Sequence, residues 1–128
     1  MNWLSLCGFI EMAVAVITGW GMVYIVRTPR EKRRQDGLRD PRRWRQGHIE
    51  MLMQGTVLIA AGAAMAAPPL VPALIVAIFG WVAPLSFFPV AFRPDWGDWK
   101  AYRLLDNSVF VGLTVGWVSF AAVAIVRF

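Results

Sequence analysis

The sequence predicts an all-α fold, an integral membrane four-helix bundle forming a single domain over residues 1–128. Three observations predict it. Hydrophobic residues make up 58% of the chain and charged residues only 16%, with a mean hydropathy of +0.53. The apolar residues fall in runs of about 20, the length an α-helix needs to cross roughly 30 Å of hydrocarbon. No run alternates with period two, as a membrane β-barrel requires. This composition excludes most soluble enzymes and nucleotide-binding sandwiches.

The first span runs over residues 3–26 and is interrupted by Glu11. Met1 and Asn2 supply no basic side chain ahead of it, so it reads as a retained span and not a cleavable signal. A polar, strongly basic connection covers residues 27–47. The second span covers residues 48–67. Ala66-Ala67-Pro68-Pro69 is a tight uncharged turn, which makes the second and third spans an antiparallel hairpin. The third span covers residues 70–92 and contains Pro72, Pro84 and Pro89. A polar connection over residues 93–103 leads to the fourth span, residues 104–126.

The net charge of +5 is explained by its position. Nine of the 13 Lys and Arg lie between Arg27 and Arg45. In a soluble chain a pI near 10.4 would suggest nucleic acid. Here the basic residues flank apolar spans, so no nucleic-acid partner is expected. The positive-inside rule places both basic connections in the cytoplasm and both termini outside. The basic run Arg27 to Arg34 also suits anionic membrane lipid. Most of the tryptophans, Trp44 included, fall near span ends and read as an interfacial belt.

The single Cys7 forms no intrachain disulfide, and the single His48 rules out any metal site needing two imidazoles from one chain. Glu11 lies at membrane depth, where a carboxylate needs a cation, water or a proton. His48 is expected at the start of the second span, with Glu50 and Gln54 further in. Asp106, Asn107 and Ser108 open the fourth span on the same side. Below His48 a helical stripe carries Met51, Leu52, Gly55, Ile59 and Gly62. Its glycines admit a flat body close to the backbone: another helix, or a porphyrin with His48 as axial ligand. An acceptor for the second ring nitrogen of His48 is expected from Asp106, Asn107 or another chain.

The segment Trp44-Arg45-Gln46-Gly47-His48, followed by Gln54-Gly55 and an apolar helix, resembles the second helix of the styrene oxide isomerases and of the related membrane mutases that rearrange hydroxylaminobenzene. Phe79-Gly80-Trp81 and Asp106-Asn107-Ser108-Val109-Phe110 resemble the family more loosely. The resemblance implies a homotrimer in the bacterial inner (cytoplasmic) membrane, with haem b between subunits. His48 is then the metal ligand, and Met51, Leu52 and Gly55 are its cofactor-binding neighbours. The implied reaction opens a small apolar aryl epoxide to an aldehyde, with ferric haem as Lewis acid. Gln54 takes the family's Asn position, and Gln54, Asp106 and Asn107 are the candidate catalytic residues. The family's Asp and Tyr of helix three fall near Phe79 and Phe87, neither of which can orient a substrate by hydrogen bonding. Two other readings stand beside this one: a small four-span transporter that uses Glu11, and a non-catalytic accessory membrane subunit.

Overall fold

The computed structural model describes residues 1–128 and contains only helices: α1 (Trp3–Arg27), α2 (Arg30–Gln35), α3 (Pro41–Ala64), α4 (Leu70–Leu85), α5 (Phe87–Phe92), a 3-10 turn over Pro94–Asp98, and α6 (Lys100–Arg127). Three stretches are long and apolar enough to cross a membrane: α1, Leu70–Phe92 and α6, with mean hydropathies of 1.8, 2.2 and 2.3. The protein is a multi-pass, all-α membrane protein. α3 is as long as the others, but His48, Glu50 and Gln54 lower its hydropathy. It packs against α1, α4 and α5, so protein covers much of it.

The boundaries follow from local chemistry. Asp40 caps α3 by accepting the Arg42 N–H at 3.1 Å, and Pro41 occupies the first turn, where its missing N–H costs nothing. α3 therefore starts well before the expected residue 48, and His48 sits about two turns inside it. The Ala66–Pro69 turn lies where expected, between α3 and α4. The third span is broken at Ser86, between Pro84 and Pro89, into α4 and α5. Tyr102 donates its hydroxyl to the Ser86 carbonyl at 2.8 Å, satisfying an acceptor at the break. α6 starts at Lys100, so Asp106 and Asn107 lie beyond its first turn, not at its start.

The tightest packing is the antiparallel seam between α1 and α3. A Cβ added at Gly8 would come within 2.6 Å of the Gly55 carbonyl and 2.8 Å of the Ile59 amide, and one at Gly55 would meet Met12 at 3.0 Å. At the uncharged end, Asn2 donates to the carbonyls of Gly62 and Met65 at 2.6 and 2.8 Å while accepting from the Ser5 N–H at 3.1 Å. One side chain thus caps the start of α1 and the end of α3 together. Above it a core of Leu4, Leu58, Val76 and Phe120 joins all four long helices.

Replacing Gly8 with Leu is expected to destabilise the protein by about 1–3 kcal/mol, because backbone on α3 occupies the space and cannot rotate away. Thermal unfolding in detergent checks this, and an unchanged melting temperature would refute the seam.

Candidate functional site

The seam decides what surrounds His48. The half-buried His48 ring lies against α1, with Nδ1 3.0 Å from Thr18 Oγ1. The one hydroxyl proton of Thr18 goes to the Ala15 carbonyl at 2.8 Å. With the hydroxyl proton so engaged, Oγ1 serves as acceptor for the tautomer that carries its proton on Nδ1. In the neutral ring this leaves Nε2 with a free lone pair. A Cβ at Gly19 would sit 3.3 Å from Cε1 and 3.9 Å from Nε2, so glycine there leaves that edge of the imidazole uncovered. Thr18 is held from its other side too: the Trp44 indole donates to its carbonyl at 3.0 Å. Trp44 is half-buried, overlies Gly21 and meets Phe88 edge-on at 4.7 Å. It is a wedge between helices.

The expected second-nitrogen acceptor was Asp106 or Asn107. Thr18 takes that role instead, because α1, not α6, packs against this face of α3. The glycine stripe is likewise covered by α1. Met51 is 0% exposed and Gly55 faces Gly8 and Met12, so neither lines a site open to a cofactor in this protomer. Leu52, half-buried and one turn from His48, keeps its place on the His48 flank.

The opposite side of α3 holds a separate site. A cavity of about 610 Å³ lies between α3, α4 and α6. Gln46, Glu50 and Asp106 form its polar end, and Val109, Leu113 and Trp117 contribute to its apolar wall. Gln54 does not line it. Its amide donates to Glu50 Oε1 at 2.9 Å and lies over Gly80. Phe87 lines the cavity, whereas Phe79 fills the notch at Gly112. Asn107 is exposed and outside the cavity lining. Of the expected polar set, the fold places Asp106 in the lining of this cavity with Glu50, ties Gln54 to Glu50 from outside it and sends His48 to the other face. Thr18, Gln46 and Glu50 were not singled out as site residues from the sequence. Nothing in the sequence separates Thr18 from the other hydroxyls of the first span, Ser5 and Tyr24.

No cluster of three His, Cys, Asp or Glu side chains can hold a free metal ion. A porphyrin supplies four nitrogens of its own and asks one ligand of the protein, and the fixed, half-open His48 fits that requirement. Glu11 is 0% exposed, neither carboxyl oxygen has a hydrogen-bond partner, and it does not line the cavity between α3, α4 and α6.

A family model described as styrene oxide isomerase matches residues 1–94. The match spans α1 to α5 and includes Trp44 to Gly55, but it leaves α6 and Asp106 outside. No curated protein and no solved structure matches the chain.

Thr18→Val keeps the side-chain shape and removes the acceptor. The imidazole 15N spectrum of the micelle-bound protein is expected to show the Nδ1–H tautomer in the wild type and a mixture in the variant. Identical spectra would mean that Thr18 does not set the tautomer.

Proposed function

The chain belongs to the styrene oxide isomerase family, and from that premise we propose that it is a haem b-dependent membrane isomerase converting a small aryl epoxide to an aldehyde. The single observation that carries the proposal is the His48–Thr18 pair inside the matched region: an imidazole oriented by one nitrogen and free at the other. His48 would hold the haem iron, with Gly19 and Leu52 beside it. When bound, haem supplies a Lewis acid for the epoxide oxygen.

The rearrangement is redox-neutral. The benzylic C–O bond breaks, a hydride migrates from the oxygen-bearing carbon to the benzylic carbon, and the remaining C–O bond becomes the carbonyl. The protein's part is to bind, orient and keep water out. The cavity of about 610 Å³ is of ligand size. Its Val109, Leu113 and Trp117 wall shields a benzylic cation from water. Glu50 and Asp106 place negative charge at the polar end, which favours that cation. Gln54 positions Glu50 through their 2.9 Å hydrogen bond. The hydrogen-bonding role that Phe79 and Phe87 cannot fill thus passes to side chains of α3 and α6.

His48 and the cavity occupy different faces of α3, so they serve one site only across a protomer boundary. That supports a homo-oligomer, a trimer in keeping with the family resemblance, in which the α6 side of one copy meets the His48 flank of the next. Phe110, 79% exposed at the cavity rim, suits such a contact.

The test is spectroscopic and chemical. Protein expressed with ample haem and purified in detergent is expected to show a Soret band and to turn styrene oxide into an aldehyde. His48→Ala is expected to abolish or blue-shift the band with helicity unchanged. A colourless wild type would overturn the haem assignment. A retained band without turnover would leave a haem protein that is not an isomerase.

The basic connections are proposed to face the cytoplasm of a bacterial inner membrane, with both termini outside. In a Cys7→Ser background, Asp36→Cys is expected to resist impermeant thiol reagent added to intact cells. Labelling from outside alone would reverse the orientation.

A further inference from the structure

The basic connection is not an extended loop. Arg33 donates from Nη1 to the carbonyls of Ile25 and Thr28 at 2.7 and 2.8 Å, which ties α2 to the open end of α1. Gly37, at φ +96°, turns the chain in a conformation that favours glycine. Leu38 is buried, and the amides of Arg39 and Asp40 both bond the Ala91 carbonyl at 3.0 and 2.9 Å. These ties fold the connection into a bowl of about 410 Å³ whose lining includes Arg30, Arg33, Arg34, Arg39, Asp40 and Arg42.

Five arginines thus share the lining with one aspartate, and that aspartate is occupied. Asp40 accepts the Arg42 N–H at 3.1 Å and lies 4.0 Å from Arg43. Asp36 is engaged elsewhere, with the Tyr24 hydroxyl and with Lys32 at 3.5 Å. The hydrogen bond from Tyr24 holds its carboxyl below the ordinary range. Arg30, Arg34, Arg39 and Arg42 make no ion pair within the protein. Topology alone asks only that positive charge lie on one side of the membrane. It does not ask for anchored backbone that gathers arginines around one space.

We propose that this arginine bowl binds a phosphate group. Guanidinium forks match phosphate oxygens in pairs. The bowl lies at the end of an apolar span, where Arg33 touches the last turns of α1. That is the level of lipid headgroups, so the phosphate comes either from an anionic phospholipid or from a soluble phosphate compound.

The experiment measures binding by native mass spectrometry on the full chain in detergent. The probes are phosphatidylglycerol, phosphatidylcholine with the same acyl chains, and inorganic phosphate. The control is Arg103→Gln, which removes a basic residue of α6 outside the bowl. Phosphatidylglycerol is expected to bind at least about tenfold tighter than phosphatidylcholine, as roughly fivefold per arginine implies. The Arg34→Gln/Arg39→Gln variant is then expected to lose roughly twentyfold, and Arg103→Gln to lose nothing. That pattern assigns a lipid phosphate. Inorganic phosphate binding with the same arginine dependence and no lipid preference assigns a soluble one. Where the Gln variant fails to insert, Arg34→Lys/Arg39→Lys keeps the topology charge but lacks the fork, and it is expected to lose several-fold. Equal losses in Arg103→Gln, unchanged binding in the Lys variant, or binding of neither phosphate source overturns the site.

Discussion

The close approach of α1 and α3 is the constraint on which the rest of the molecule depends. At Gly8 and Gly55 backbone meets backbone, with no room for a Cβ at Gly8. Between apolar helices in lipid there is little hydrophobic force, so packing at this distance is what holds them together. The contact also sets register. With Gly8 opposite Gly55, the antiparallel pair brings Thr18 to His48 and Gly21 to Trp44. Slipping α1 by a single turn, about 5.4 Å, would leave the imidazole without its acceptor. The seam therefore builds the orientation of His48 as well as the fold.

Much of this architecture was legible in the sequence, and the illegible part has a physical pattern. Four apolar stretches, the Pro68-Pro69 turn and the basic connections all report local properties, and each stretch is helical where these put it, three of them long and apolar enough to cross a membrane. The start of α3 was misplaced because hydropathy marks where lipid begins, whereas Asp40 and Pro41 mark where the helix begins. The stripe of Gly55 and Gly62 was read correctly as a place of close approach. What approaches is a partner in the same chain, and only tertiary register reveals that. The same holds for Thr18: nothing local distinguishes a hydroxyl that contacts an imidazole from one that bonds its own helix, and Thr18 does both. Gln54 follows His48 by six residues, about 240° around the helix at 100° per residue, and its contact with Gly80 agrees with that side.

The two faces of α3 carry opposite kinds of chemistry. Towards α1 lie the imidazole and close-packed backbone. Towards α4 and α6 lie two carboxylates, two amides and an apolar wall. A helix with polar groups on both sides is poorly suited to lipid, which is why α3 alone among the long helices falls short as a membrane span by composition. It survives at membrane depth because α1, α4 and α5 pack around it. α1 and α6, by contrast, expose large apolar residues such as Trp20 and Ile125.

Glu11 tests this account from the other direction. It sits on the seam side of the bundle, wholly buried, and neither a cation nor a donor meets its carboxyl. Burying an unpartnered polar group costs on the order of 1–3 kcal/mol, a large fraction of the stability of a small domain. A transporter using this group would need the carboxyl to reach water on each side in turn. Gly8 and Ala15, about one turn to either side, are buried with it, and tight backbone packing at Gly8 leaves no channel there. Exposing Glu11 would require separating α1 from α3, which would also break the Thr18–His48 contact. The geometry that orients the imidazole is thus the geometry that closes off the carboxylate, and a single seam cannot readily serve both an oriented imidazole and a moving gate.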